Sequence, residues 1–286
     1  MNAFKMALLL HGLLFSLAVP IANEVTLPEL IPMYTVSIEA RNVAFELRVN
    51  DIPVLTTDND ASTAMSGYPI NPWLIGGRNT VSIRILPVEN STTDPNDPKY
   101  CRVVVSGPKE GGKPGLALAS VEVKPPTKPG PDRSSSKEES FSVVLGYPAP
   151  AWATSTKIGK DAATQKLILD KYREFHRLLE KKDLGGVMQF SAAKFREFSQ
   201  SMGDPTFESS AKENFEEQFA TPGRLIDIDE QAKNGLRFEY YSGDRLVSIK
   251  NDEDDSIIQF HGSEDGMRTE HTLFFYFDGK GFVLIR

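Results

Sequence analysis

Leu167-Ile168-Leu169-Asp170-Lys171-Tyr172-Arg173-Glu174-Phe175-His176-Arg177-Leu178-Leu179-Glu180-Lys181-Lys182-Asp183-Leu184 is where the pattern of this chain changes. Leu167, Ile168, Tyr172, Phe175, Leu178 and Leu179 recur at steps of three and four, while Lys166, Lys171, Arg173, Glu174 and Arg177 fall mostly on other faces. That spacing predicts an amphipathic helix of about five turns, with Asp161 placed to cap its start. Residues 34–147, before it, alternate with the period of strands. Residues 224–286, after the helices, return to that period.

Downstream, Asp183 caps a second helix that runs to Gly203-Asp204-Pro205 and offers Val187, Phe190, Phe195 and Phe198 to a core. Gly185-Gly186 weakens its start. A third helix spans about Pro205 to Ala220, with Phe207, Ala211, Phe215 and Phe219 at four-residue steps along one side. Strands are predicted over about 224–230, 235–242, 245–250, 256–261, 269–277 and 281–286. The stretch 269–277 is long for a strand and should curve.

Helices followed by a curved antiparallel sheet resemble the nuclear transport factor 2-like (cystatin-like α+β) superfamily. Tyr172 to Leu184 and Val187 to Phe190 are similar to its first helix, short Asp-Leu turn and second helix. Phe274-Phe275-Tyr276-Phe277-Asp278-Gly279-Lys280-Gly281-Phe282-Val283-Leu284 is similar to its closing hairpin. The resemblance covers roughly residues 157–286. It implies a cone-shaped cavity between helix and sheet. Members of the superfamily include isomerases, dehydratases, hydrolases and proteins that only bind, so the fold alone does not choose a function.

The first half reads as an all-β antiparallel sandwich. Tyr34, Val36 and Ile38 share one face of a strand, and Val43, Phe45, Leu47 and Val49 share one face of the next. Arg41-Asn42 and Asn50-Asp51 are turn pairs. Asn71-Pro72-Trp73-Leu74-Ile75-Gly76-Gly77-Arg78-Asn79 predicts a short helical turn capped by Asn71. Gly77 takes the positive φ that ends it, and Asn79 bonds the loop backbone. Leu74, Gly77 and Asn79 resemble the L-x-x-G-x-N element of galactose-binding-like and other jelly-roll sandwiches; an immunoglobulin-like sandwich fits the same strands. Further strands are expected at Tyr100 to Ser106, Leu116 to Lys124 and Phe141 to Tyr147. Pro125 to Ser140 reads as an extended Pro/Ser-rich loop. Pro148-Ala149-Pro150-Ala151 reads as the linker, giving two domains, 23–150 and 151–286.

Residues 1–22 read as a secretory signal. Lys5 precedes the apolar stretch Met6 to Val19, with small residues for cleavage near Ala18 or Ala22. Cys101 is the only cysteine, so no internal disulfide forms. A disulfide-free exported chain fits a bacterial periplasm. The whole chain carries a net charge of −7. Residues 23–150 have 12 basic and 15 acidic side chains, and residues 151–286 have 19 and 24. Neither half attracts a phosphate backbone, so nucleic acid is not expected as a partner. Asn90-Ser91-Thr92 forms a lone glycosylation triplet.

No nucleophile elbow, P-loop or dinucleotide fingerprint is present, and no cofactor is expected. The histidines lack metal-ligand spacing. Asp252-Glu253-Asp254-Asp255 lacks the oxygen spacing and glycine of a calcium loop. An isomerase-like site would need a carboxylate or imidazole facing the cavity beside a polarising donor. The candidates are Tyr172 and His176, one turn apart on the first helix, with Glu239, Tyr241, His261 and His271 from the sheet. The sheet strands are mixed on both faces, so alternation does not say which face lines the cavity. The sequence reads as a non-enzymatic exported binding protein, with a cell-envelope adaptor or an immunity-type protein as its forms. The partner is a protein in the envelope or a small ligand. The alternative is a small-ligand carrier or enzyme built on the second-half cavity.

Overall fold

The computed structural model describes residues 31–57, 62–87, 96–109, 111–125, 135–233, 235–262 and 268–285. The signal segment, the Asn90 triplet and most of the Pro/Ser-rich stretch lie outside them. Among the described residues the chain forms four antiparallel sheets and five α-helices. No helix there is long and apolar enough to cross a membrane.

Eight strands come first: β1 (Thr35–Arg41), β2 (Ala44–Val49), β3 (Ile52–Thr56), β4 (Thr63–Pro69), β5 (Gly77–Leu86), β6 (Tyr100–Ser106), β7 (Ala117–Val123) and β8 (Ser136–Val143). They form two four-stranded sheets, ordered β4-β1-β6-β7 and β3-β2-β5-β8. One core lies between them. Val36, Ile38 and Ala40 of β1, with Val103 and Val105 of β6, meet Phe45, Leu47 and Val49 of β2 and Val81 and Ile83 of β5. Alternation is the cause: successive side chains point to opposite faces, so one apolar set per strand turns inward. Cys101 of β6 belongs to this core. Burial pushes its thiol up to about 12, so it is inert.

Three expectations change here. Thr63 to Pro69 is a strand that alternation did not reveal, because Ala64 to Gly67 are exposed on an edge. Ser136 to Ser140, expected in the loop, pairs with β5, and the strand ends at Val143 instead of Tyr147. Its run Lys137-Glu138-Glu139 is charged and exposed, as suits an edge strand. Asn71 does not cap the 3-10 turn Asn71–Trp73. Its amide is buried: Oδ1 accepts from Tyr34 N at 2.8 Å, and Nδ2 donates to Pro32 O at 2.9 Å and Ser201 O at 3.0 Å. Asn79 does hold the loop, bonding both N and O of Ile75, and Gly77 takes φ +86°.

The second half contains α1 (Ala162–Glu180), α2 (Leu184–Phe190), α3 (Ala192–Met202), α4 (Phe207–Ala220), β9 (Gly223–Leu225), α5 (Ile228–Ala232), β10 (Arg237–Tyr241), β11 (Leu246–Lys250), β12 (Gln259–Gly262), β13 (Arg268–Glu270), β14 (Phe275–Phe277) and β15 (Phe282–Leu284). Asp161 caps α1 through Thr164 N, and Asp183 caps α2 through Gly186 N. Lys182, at φ +52°, ends α1: its N–H bonds Leu179 O, and Asp183 N bonds Leu178 O. The expected second helix is two helices, parted at Ser191. The expected strand 224–230 is β9 followed by α5, because Asp227 caps a new helix through Glu230 N. The expected long strand 269–277 is two strands in different sheets: β13 joins β12 and β9, while β14 lies between β11 and β15.

The sheet β10-β11-β14-β15 is covered on both faces, which explains its mixed alternation. Val247, Ile249, Phe275 and Leu284 pack toward α1. Tyr241, Leu246, Phe274, Tyr276 and Ile285 turn the other way and bury with Ile52 of β3 and Trp152. Trp152 lies in the 3-10 turn Ala151–Thr154, so the expected linker is anchored. Ser242 Oγ donates to Asn50 O at 2.6 Å, and the Trp73 ring meets Phe198 edge-on at 6.1 Å.

Candidate functional site

The space between α1 and the sheet is filled. Phe175 packs on Phe190 at 5.2 Å between centroids, Phe190 on Phe275 at 6.2 Å, and Phe275 on Tyr172 at 5.3 Å. Ile168, Leu179, Val187 and Leu273 complete the interior. Close packing of this kind fills the interior between these rings.

The six candidates do not converge. Tyr172 is fully buried; its hydroxyl donates to Leu273 O at 2.7 Å and accepts from Ile249 N at 2.9 Å. Both backbone groups belong to the sheet side, so this phenol ties α1 to the strands. Burial holds its pKa well above the usual phenol range. Glu239 and Tyr241 project from the opposite face, toward the first half. The Tyr241 hydroxyl donates to Glu239 Oε2, and the Glu239 Oε1 atom accepts from Arg237 Nε at 2.9 Å. The Arg48 guanidinium lies 5.5 Å from the Tyr241 ring centre. Burial, then the neighbouring Glu239, keep this phenol protonated. His261 is exposed on β12.

His271 is partly buried, stacked on Phe215 at 5.8 Å and edge-on to Phe175 at 6.3 Å. Its Nε2 lies 3.1 Å from Gln218 Oε1. Burial first, and the charge of Lys194 second, push the imidazole down to about 4. It is neutral at ordinary pH. His176 is nearly buried, with Nε2 2.9 Å from Ile226 O. A carbonyl accepts, so Nε2 carries the proton and donates.

The cleft that sequence reasoning missed is at the C-terminal end of α1. It has a volume of about 400 Å³ and lies between α1, the end of α4, β9 and β12. His176 is the only one of the six candidates that lines it. Leu179, Phe219, Leu225 and Phe260 form apolar wall, and Gln218 adds an amide. At the rim, Lys182 Nζ donates to Phe219 O at 2.5 Å and Arg224 pairs with Glu230 at 3.0 Å. Glu180 and Asp227 add two exposed carboxylates. The signal for this site was absent from periodicity because its walls come from residues 176–182, 218–227 and 260, joined only by the fold.

Among the described residues no three of His, Cys, Asp and Glu come together as metal ligands. No protein-family model, curated protein or solved structure matches this chain.

Proposed function

We propose that the chain is a non-enzymatic exported binding protein acting in the bacterial cell envelope, as an adaptor or immunity-type protein. The observation that carries the non-enzymatic part is the use made of Tyr172. Its hydroxyl spends both its donor and an acceptor position on buried backbone groups. A catalytic phenol needs one of these for substrate. The separation of Tyr172 and His176 from Glu239 and Tyr241 by the thickness of the sheet supports the same reading.

Export rests on the Lys5 and Met6 to Val19 segment, and the periplasm on the single cysteine. Two domains, a jelly-roll or immunoglobulin-like sandwich followed by a nuclear transport factor 2-like fold, are part of the same proposal. The order of helix, Asp183 turn, helix and antiparallel strands supports the second assignment.

The test is fractionation of a bacterium expressing the tagged full chain, followed by crosslinking and recovery. The proposal expects a mature chain cut near Ala18 or Ala22 in the periplasmic fraction, crosslinked to a defined envelope protein. An uncut cytosolic chain contradicts export. Export without any crosslinked partner contradicts the interaction reading.

A further inference from the structure

We infer that the cleft at the end of α1 is a binding site for a small neutral saccharide, a mono- or disaccharide. This goes beyond the partner reading above and does not depend on it.

The argument starts with charge. The rim carries Lys182 and Arg224 against Glu180 and Asp227, two of each sign. Both cations already have acceptors within the protein, at Phe219 O and Glu230. With Glu230 beside Arg224 the group is two cations to three carboxylates, so the cleft does not draw an anion. An anionic ligand would have to displace an acceptor that either cation already holds.

Hydrogen-bonding capacity comes next. His176 donates through Nε2 to Ile226 O, which leaves Nδ1 as its second ring nitrogen. The Gln218 oxygen is held by His271, which leaves the two amide N–H groups of Gln218 as donors. The exposed carboxylates of Glu180 and Asp227 can each accept a hydroxyl proton. Asp227 spends Oδ1 on Glu230 N, leaving its second oxygen. The site thus mixes acceptors with an amide donor, which is what vicinal hydroxyl groups require.

Apolar surface completes the match. Phe219 and Phe260 are only partly buried and stand in the cleft wall with Leu179 and Leu225. A sugar ring has an apolar face of C–H bonds and a rim of hydroxyls, so it meets both kinds of wall at once. A volume of about 400 Å³ has room for one or two such rings. Gly223 fixes the shape, because a Cβ there would lie 2.4 Å from Phe260 Cζ and 2.6 Å from His261 O.

The experiment is a titration of the isotope-labelled full chain, followed by backbone and Gln218 side-chain amide resonances. The probes are glucose, galactose, N-acetylglucosamine and maltose, each to about 50 mM so that millimolar binding registers. Glycine and inorganic phosphate serve as charged comparisons. Saturable shifts centred on Gln218, Leu225 and Asp227 are expected with at least one sugar. Glu180→Ala, at an exposed position that leaves the core untouched, should weaken that sugar at least tenfold; Gln218→Leu should abolish the response. No saturable shift with any sugar overturns the inference. So does a response to phosphate or glycine alone, or sugar binding unchanged in Glu180→Ala. Partner crosslinking in the envelope is read separately, so either result leaves the other standing.

Discussion

The two-sheet half and the helical half bury comparable cores by different means. In the first, strands of five to ten residues pair along their length, and one alternate set of side chains turns inward. In the second, strands of three to five residues are split between two sheets, and aromatic rings from helix and strand interlock. The first half is held by register, the second by ring packing. A single side chain should therefore matter more in the second.

The largest effect expected is at Phe275, at the centre of that ring chain. Phe275→Ala should cost about 3–5 kcal/mol of unfolding free energy in urea titration. Phe45→Ala, equally buried in the first core, should cost less than Phe275→Ala. Equal losses at the two positions would break the comparison. Next is Trp152, where the halves meet. Trp152→Ala should cost about 3 kcal/mol and raise amide exchange at both Ile52 and Leu246, neighbours in the shared core. Exchange raised on one side only would mean that the two halves are not coupled there.

Asn71 is the polar counterpart of these rings. Asn71→Ala removes three hydrogen bonds from buried or partly buried groups and leaves Tyr34 N without its acceptor. A loss of about 2–3 kcal/mol is expected by thermal unfolding. A further contrast is the pH response of His271. Its folded pKa, about 4, lies below the ordinary 6.5, so the unfolded chain takes up the proton first. Stability is complete above pH 6.5 and falls as pH drops toward 4, by about 3 kcal/mol. His271→Gln should flatten that part of the profile relative to the native chain. An unchanged slope would place the titration elsewhere.

Legibility followed the same division. The inner faces of β1 and β2 were readable because alternation and turn residues agreed. β4 and the start of β8 were not, because edge strands carry polar or small residues and are held by backbone pairing. In the second half α1 and its Asp161 cap were plain, and so was Asp183. Asp227 was hidden inside an apparent strand, although an Asp three residues before Glu230 is a capping signal. The 269–277 run concealed a sheet change that only tertiary packing dictates. Tyr172 and His176 both lie on the buried side of α1. The roles of Glu239 and Tyr241 were unreadable because both sheet faces are apolar, one against the helices and one against Ile52 and Trp152.

The central claim is that the buried Tyr172 hydroxyl holds the helical half together. Its most direct test is the unfolding free energy of Tyr172→Phe, which keeps the ring and removes only the hydroxyl. The account predicts a loss of about 2 kcal/mol or more, since Leu273 O and Ile249 N would be left buried without partners. A stability unchanged or raised, as when a functional group strained for catalysis is removed, would contradict it.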